Sequence, residues 1–167
     1  MSVCPDCDFR YGALPRHQLV TALRAGGEAY APRLATDSTI LRTRREPGEW
    51  SPLEYACHVR DVSLMQRDRL YVALVEDEPS FKPMYRDQRV AFDRYNLQSP
   101  SAVAAEVAMA TALFAGAFEG LGDDQWGRPL IYGFPEATHR DVEWVGHHTL
   151  HEITHHLADI DRILDAS

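Results

Sequence analysis

The chain is organised around one stretch near its end, Val145-Gly-His-His-Thr-Leu-His-Glu-Ile-Thr-His-His-Leu-Ala-Asp-Ile160. This stretch contains five of the eight histidines in the protein. Residues four apart in a helix lie one above the other on the same face, so His147, His151 and His155 form one row. Two imidazoles one turn apart can hold one divalent metal ion with little rearrangement. The spacing therefore predicts a metal site on the last helix rather than a solvent-exposed polar face.

The composition is that of an ordinary globular domain. The chain has 167 residues, of which 45% are hydrophobic and 25% are charged, which suffices for one domain with its own core. A net charge of −8 argues against a nucleic-acid partner, because no basic stripe is available to neutralise phosphates. We expect no membrane partner, since no stretch approaches about 18 apolar residues. Three cysteines and the lack of a signal-peptide pattern fit a reducing cytoplasm.

Helical periodicity and start signals predict four long helices and no strand. The clearest start is Ser51-Pro52-Leu53-Glu54, which combines a serine cap, a proline in the first turn and a glutamate three residues after the cap. The helices are expected at about residues 15–34, 52–76, 100–121 and 138–164, with a short crossover near residues 84–95. Thr138 and Asp141 are expected to form a capping box for the last helix.

These helices predict an all-α fold, an up-and-down four-helix bundle with a crossover connection. The bundle should occupy residues 15–167, and residues 36–50 and 123–137 should be connections. Residues 1–14 form an N-terminal extension that contains Cys4-Pro-Asp-Cys7. A lone C-x-x-C is half of a zinc knuckle, and no second cysteine pair follows it. A loosely attached tail is the expected state of this extension, and a metal or redox role for Cys4 and Cys7 stays open.

His151-Glu-Ile-Thr-His155 also matches H-E-x-x-H, the pattern of zinc peptidases in which the glutamate acts as general base. The extended form of that motif places a third histidine at the position that Asp161 occupies here. A peptidase would also need an edge strand for its substrate, and none is evident. The match therefore does not indicate a peptidase.

A catalytic site that takes two ligands from one helix needs a third ligand from elsewhere. His58 lies among apolar neighbours in the second helix and is the expected third ligand beside His151 and His155. Three neutral imidazoles would leave positions open, and a metal with an open position makes a bound water or thiol more acidic. His147 is an alternative ligand, because it lies one turn before His151. Imidazoles accept zinc, nickel, copper or iron, so the residues alone do not identify the metal.

Carboxylates within helical reach of these histidines should orient the ligating rings. Three residues meet this condition: Asp61, Glu152 and Asp159. Arginines of the crossover segment could bind an anionic thiol or substrate, and the candidates are Arg86, Arg89 and Arg94.

Two motifs are distinctive: Trp50-Ser-Pro-Leu-Glu54 leading into His58-Val-Arg-Asp61, and the terminal His151-Glu-x-x-His-His-Leu-x-Asp-Ile160. They resemble motifs of the DinB/YfiT-like superfamily. The similarity covers about residues 15–164 and extends to the mycothiol-dependent maleylpyruvate isomerases and bacillithiol transferases of that group. The resemblance implies a four-helix bundle that holds a divalent metal, zinc or nickel, through three histidines. By position these are His58, His151 and His155.

The resemblance also implies a reaction, in which the metal activates a low-molecular-weight thiol for transfer to a small electrophile or for its isomerisation. The expected partners are therefore a small-molecule thiol and an electrophile. Two other functions stay open: a non-catalytic, stress-related metal-binding bundle, and a hydrolase that uses metal-activated water. Homodimerisation through a helix face also stays open.

Overall fold

The computed structural model describes residues 3–35 and 38–166 of the chain. Within these residues the α-helices are α1 (Arg16–Glu28), α2 (Pro52–Val75), α3 (Arg86–Phe92), α4 (Pro100–Gly116), α5 (Asp123–Trp126) and α6 (Val142–Asp165). The strands are β1 (Ser80–Phe81), β2 (Pro129–Tyr132) and β3 (Thr138–Asp141). No helix in the described ranges is long and apolar enough to cross a membrane.

α2 begins where its sequence signals predict. The Ser51 hydroxyl accepts a hydrogen bond from the Glu54 backbone N–H at 3.2 Å, and a Glu54 carboxylate oxygen accepts one from the Ser51 backbone N–H at 2.8 Å. Pro52 occupies the first turn, where its missing N–H costs no intrahelical bond. The predicted capping box of α2 is confirmed.

Four helices form the bundle. α2 packs against α4 and α6, and α1 packs against the same two helices. α1 and α2 therefore lie across a diagonal, so the chain crosses the end of the bundle between them. The predicted all-α four-helix bundle with a crossover connection is confirmed. All four helices contribute buried apolar side chains to one core, among them Leu23, Leu53, Val107 and Ile160.

α1 is shorter than predicted, because it ends at Glu28 and residues 29–34 continue as turns. These turns still bury Tyr30, whose hydroxyl donates to the Ile153 carbonyl of α6 at 2.8 Å. Gly27 permits a close approach to α4, since a Cβ atom there would lie 1.8 Å from the Thr111 hydroxyl oxygen. The glycine that weakens helix propensity therefore allows tight helix packing. The predicted connection after α1 begins at Thr36, which lies outside the described residues.

A small three-stranded sheet, which the sequence did not predict, lies beside the bundle. β1 pairs in parallel with β2, and β2 pairs antiparallel with β3. Leu130 and Tyr132 of β2 are buried, and the Gln66 side-chain amide donates to the Tyr132 hydroxyl oxygen at 3.0 Å. The segment predicted as a loop thus holds both α5 and β2. The strands are too short to show an alternating pattern in the sequence.

The start of α6 also differs from the prediction. Thr138 and Asp141 are the two ends of β3 rather than a capping box, because residues 138–141 pair with β2. The cap of α6 is Asp141 alone, whose carboxylate accepts a hydrogen bond from the Trp144 backbone N–H at 2.7 Å. The helix therefore begins at Val142.

Candidate metal centre

α6 has two faces with different partners. Its buried apolar residues recur every three or four positions and include Val145, Ile153 and Ile160. His156 lies on this face and is buried. His151 and His155 each lie one residue before a residue of the core side, about 100° around the helix. His151, His155 and His156 are therefore divided between two environments.

The core-facing environment contains a group of three residues, His58, Glu152 and His156, which we call the inner group. The Nε2 atom of His58 lies 3.3 Å from a Glu152 carboxylate oxygen, and Nε2 of His156 lies 3.5 Å from the same oxygen. One potential ligand atom of each residue lies within 4.8 Å of the other two. Ligand atoms that surround a tetrahedral zinc ion at about 2.0–2.1 Å are about 3.3 Å apart. The spacing of the inner group therefore suits one metal ion.

Neighbouring side chains orient the two imidazoles of the inner group. The ring of His156 donates through Nδ1 to the Asp159 carboxylate at 3.0 Å, which leaves Nε2 facing Glu152. The Trp50 ring lies 5.0 Å from the His58 ring, and Tyr55 stacks on His156 at the same centroid distance. Carboxylates that hold a histidine in this way fix the nitrogen that is free to bind a metal.

The charge state of the inner group follows from burial and from the pairing within it. Burial lowers the pKa of His58, which favours the neutral imidazole. Burial also acts to lower the pKa of His156, but the carboxylates of Asp159 and Glu152 outweigh it and raise this pKa to about 8. Burial acts to raise the pKa of Glu152, but hydrogen bonds with His156 and His58 hold it well below its usual value. Glu152 is therefore a carboxylate at neutral pH.

Two cavities open onto the inner group. The first, of about 370 Å³, is lined by His58 and Glu152 together with apolar and basic side chains that include Val62, Met65, Arg69, Lys82 and Phe134. The second, of about 500 Å³, is lined by His156 and Asp159 together with Asp6, Cys7, Trp50 and Tyr55. Arg86 and Asp87 line both cavities. Small molecules can therefore approach the inner group from two sides.

The flank of α6 contains a second group, Cys4, Cys7, His151 and His155, which we call the outer group. One potential ligand atom of each of these residues lies within 4.8 Å of the other three. The N-terminal segment packs on this flank, where the Phe9 ring lies 5.2 Å from the His151 ring. The hydroxyl of Tyr11 lies 3.0 Å from Nδ1 of His151. The predicted N-terminal extension is thus in contact with α6.

The structure divides the predicted ligands His58, His151 and His155 between these two groups. His58 faces Glu152 and His156, whereas His151 and His155 face the cysteines. The physical reason is the register of α6, because a shift of one residue turns a side chain by about 100°. This predicted triad stays a prediction, and the geometry favours the inner group as the site between helices.

The other predicted residues lie as follows. Glu152 is a member of the inner group, and Asp159 contacts His156 as expected. Asp61 contacts no histidine in the described part of the chain and accepts a hydrogen bond from the Tyr95 hydroxyl at 2.6 Å. His147, the alternative ligand, is buried and belongs to none of the potential ligand groups among the described residues.

Two further sets of potential ligands share members with the inner group. Glu152 also approaches His148 and His151, at 3.9 and 3.8 Å. Asp159 also approaches His155, at 3.6 Å. All members of both sets lie on α6, whereas the inner group joins α6 to α2. Burial lowers the pKa of His148 to about 4, so this imidazole is neutral at pH 7.

Sequence reasoning did not name Glu152 and His156 as potential ligands. The signal that could have found them is the buried face of α6, which is apolar at Val142, Val145, Ile153, Ile160 and Ile163. The position missing from this apolar series, one turn before Ile160, is His156. A histidine on the core side of a helix is better placed than one on the flank to meet a ligand from α2.

Comparisons with known proteins agree with this architecture. A sequence model of the DinB superfamily matches residues 22–160. No curated protein matches the chain in sequence. Among solved structures, the fold is similar to YfiT from Bacillus subtilis, described as a probable metal-dependent hydrolase with an unusual four-helix bundle topology. The TM-score is 0.82 at 16% identity, and the similarity covers 94% of this chain and 91% of YfiT. At this identity the likeness shows the fold.

Proposed function

Because the chain belongs to the DinB superfamily, we propose that it is a metal-dependent protein that activates a low-molecular-weight thiol for reaction with a small electrophile. The metal is held by His58, Glu152 and His156. The observation that carries this proposal is the inner group itself, three potential ligands from two helices at the junction of two cavities.

The residues of the inner group fit a catalytic metal. Two imidazoles and one carboxylate form a donor set that zinc enzymes use, with a further position left for water or substrate. Among the described residues, Nδ1 of His58 is buried without a hydrogen-bond partner, so the contact of Nε2 with Glu152 is the one that a metal between them would replace. When bound, zinc or nickel would lower the pKa of a coordinated thiol or water. His58, Glu152 and His156 would hold this metal, and the surrounding side chains would supply orientation and charge.

The cavity residues indicate where the two reactants bind. Arg86 lines both cavities and lies over the Trp50 and Phe134 rings, at 5.6 Å from each. The smaller cavity adds Arg69 and Lys82, so with Arg86 three basic side chains face the acidic Asp87 and Glu152, and this excess of basic groups suits a small molecule with a carboxylate. Of the predicted anion-binding arginines, Arg89 instead pairs with Asp61 at 3.5 Å. Arg86 therefore holds the anionic part of the thiol or the electrophile.

Metal content and turnover test this proposal together. Tag-free wild-type protein, His58→Ala and His156→Ala are compared by elemental analysis and by conjugation of a panel of thiols with electrophiles, with zinc or nickel added. We expect each variant to lose one metal equivalent and all thiol conjugation. His151→Ala is the matched control for thiol conjugation alone, since it removes a histidine from the same helix and from the outer group but not from the inner group.

The control also separates the proposed ligands from the triad predicted from sequence. Activity that survives in His151→Ala and is lost in His156→Ala supports the inner group. Activity that survives in His156→Ala and is lost in His151→Ala supports His58, His151 and His155 instead. Tight metal binding without turnover on any pair of reactants would contradict the enzyme and leave a metal-binding bundle.

A second candidate function is hydrolysis by metal-activated water. The similarity in fold to a protein described as a probable metal-dependent hydrolase favours it. Ester or amide cleavage that needs the metal but no thiol distinguishes this function from thiol transfer. The cytoplasmic location stays a prediction, as do zinc and nickel as the metals.

A further inference from the structure

We propose that Cys4, Cys7, His151 and His155 form a second metal site, a four-ligand zinc site that fastens the N-terminal segment to α6. This site is independent of the proposed catalytic function. Its ligands come from the two ends of the sequence, and it shares none of them with the inner group.

The backbone of the N-terminal segment presents the two cysteines from one tight turn. Val3 pairs antiparallel with Arg10, and the Cys4 backbone N–H donates to the Phe9 carbonyl at 2.9 Å. The Asp8 backbone N–H donates to the Cys4 carbonyl at 3.0 Å. Asp8 has φ of 56°, the left-handed conformation that aspartate tolerates better than most residues. The turn thus brings Cys4 and Cys7 together in the manner that a C-x-x-C metal site requires.

The four ligand atoms have the spacing of a single ion. All of them lie within 4.8 Å of one another, and no other set of potential ligands among the described residues has four members. Ligands of a tetrahedral zinc ion, with sulfur at about 2.3 Å and nitrogen at about 2.0–2.1 Å, are about 3.3–3.8 Å apart. A small inward movement of the side chains would bring the set to that geometry.

Both histidines have one ring nitrogen with a neighbour and one without. The Tyr11 hydroxyl lies 3.0 Å from Nδ1 of His151, and the Asp159 carboxylate lies 3.6 Å from Nε2 of His155. The remaining nitrogens, Nε2 of His151 and Nδ1 of His155, are buried without a hydrogen-bond partner. A buried polar atom without a partner costs about 1–3 kcal/mol, and a metal would provide the missing bond to both atoms.

The donor set indicates a structural site rather than a catalytic one. Two thiolates and two neutral imidazoles balance the charge of Zn²⁺ and fill its four positions, so no position is left for a substrate. Asp6 and Cys7 line the larger of the two cavities, which also reaches His156. By fixing this segment, zinc at the outer group would hold one wall of the cavity in place.

Cobalt substitution tests the site, because cobalt bound by thiolates gives a charge-transfer band that cobalt bound only by nitrogen and oxygen lacks. Co²⁺ is titrated into reduced, metal-free, full-length protein, and Zn²⁺ is then added to displace it. We expect a thiolate band that saturates at one equivalent and disappears in the Cys4→Ser/Cys7→Ser double variant. The matched control is Cys57→Ala, which removes the remaining cysteine of the chain and should keep the band.

Two single variants keep the test independent of the inner group and of folding. His156→Ala should keep the thiolate band, whereas His155→Ala should lose it with an unchanged helical circular dichroism spectrum. A band that survives the double cysteine variant would overturn the proposal. So would the absence of any band in reduced wild-type protein, or a Cys4–Cys7 disulfide that re-forms in place of metal binding.

Proteolysis measures whether zinc holds the N-terminal segment against α6. Arg10 is exposed in the hairpin and offers a trypsin site. Zinc alone should slow cleavage after Arg10 at least tenfold in wild type and leave the rate unchanged in the double cysteine variant. Equal rates with and without zinc in wild type would contradict a structural role.

Discussion

The inner and outer groups lie on the same helix, one residue apart, and are built in different ways. The inner group joins α6 to α2 inside the bundle and opens onto two cavities. The outer group joins α6 to a hairpin that precedes the first helix. The inner group has three potential protein ligands and the outer group has four. A shift of one residue along α6 therefore separates a set of ligands that would leave a position open on a metal from a set that would fill all four positions.

This difference shows why a count of histidines does not assign a function. His151 and His155 have the one-turn spacing of a metal pair, but the cysteines would complete their coordination. Glu152 and His156 have the same spacing, and their third partner comes from a neighbouring helix. The side of the helix on which a pair lies decides what chemistry it can support.

The largest expected effect is on the stability of the bundle that positions both groups. In Gly27→Ala the new Cβ would lie 1.8 Å from the Thr111 hydroxyl oxygen, so α1 and α4 must separate. We expect the free energy of unfolding to fall by about 3 kcal/mol, as for strongly overpacked cores. Denaturant unfolding of metal-free protein measures it.

Gly116→Ala is the matched control for that variant, since its Cβ would only meet an Arg24 nitrogen at 3.7 Å. It should leave stability unchanged or raise it by up to about 1 kcal/mol through helix propensity. Equal free energies of unfolding for the two variants would show that the tight contact between α1 and α4 does not stabilise the bundle.

The next effect separates the groups. Tyr11→Phe removes the hydroxyl that lies 3.0 Å from Nδ1 of both His148 and His151. Loss of such an orienting partner typically lowers metal affinity about 10–100-fold. We expect this loss for zinc at the outer group, measured by competition with a chelator, and no change at the inner group. Tyr71→Phe, at an exposed tyrosine, is the control.

A smaller effect should appear at both groups in one variant. Asp159 accepts a hydrogen bond from His156 at 3.0 Å and approaches His155 at 3.6 Å, so one carboxylate contacts a member of each group. Asp159→Asn should weaken metal binding at both groups, by about tenfold at the inner one and less at the outer one. Calorimetric titration of the metal-free variant measures both. A loss confined to the outer group would show that Asp159 does not orient His156.

The smallest effect concerns an ion pair of α6 that belongs to neither group. Arg33 donates two hydrogen bonds to the Asp161 carboxylate, at 2.8 Å each, and this pairing holds the pKa of Asp161 below its usual value. The stabilisation is therefore present above the unfolded pKa and is lost as the pH falls through the lowered pKa. Asp161→Asn should cost about 0.5 kcal/mol at pH 7.

That cost should vanish in acid, which denaturant unfolding at neutral and low pH would measure. Metal binding at both groups should stay unchanged in Asp161→Asn. A decrease in metal affinity would show that the end of α6 transmits strain to the sites.

More of the fold than of the site could be predicted from the sequence. The capping box of Ser51 and Glu54 and the apolar stripes carry local information, which suffices for helices and for a bundle. The strands depend on pairing between residues 80–81 and 129–141, which no local pattern records. The predicted triad depended on the rotation of α6 relative to α2, and a spacing of four residues leaves that rotation undetermined. The proximity of Cys4 and Cys7 to His151 and His155 could not be predicted, because no local pattern links residues so far apart in the sequence.

The contact between Tyr11 and His151 spans 140 residues, and this separation orders events during synthesis. The hairpin leaves the ribosome before the histidines that face its cysteines are made. At roughly 5–20 residues per second, the interval is about 7–28 s. During that time the thiols of Cys4 and Cys7 have no partner from α6. Synthesis of the histidines of α6 is therefore the event that allows the outer group to assemble.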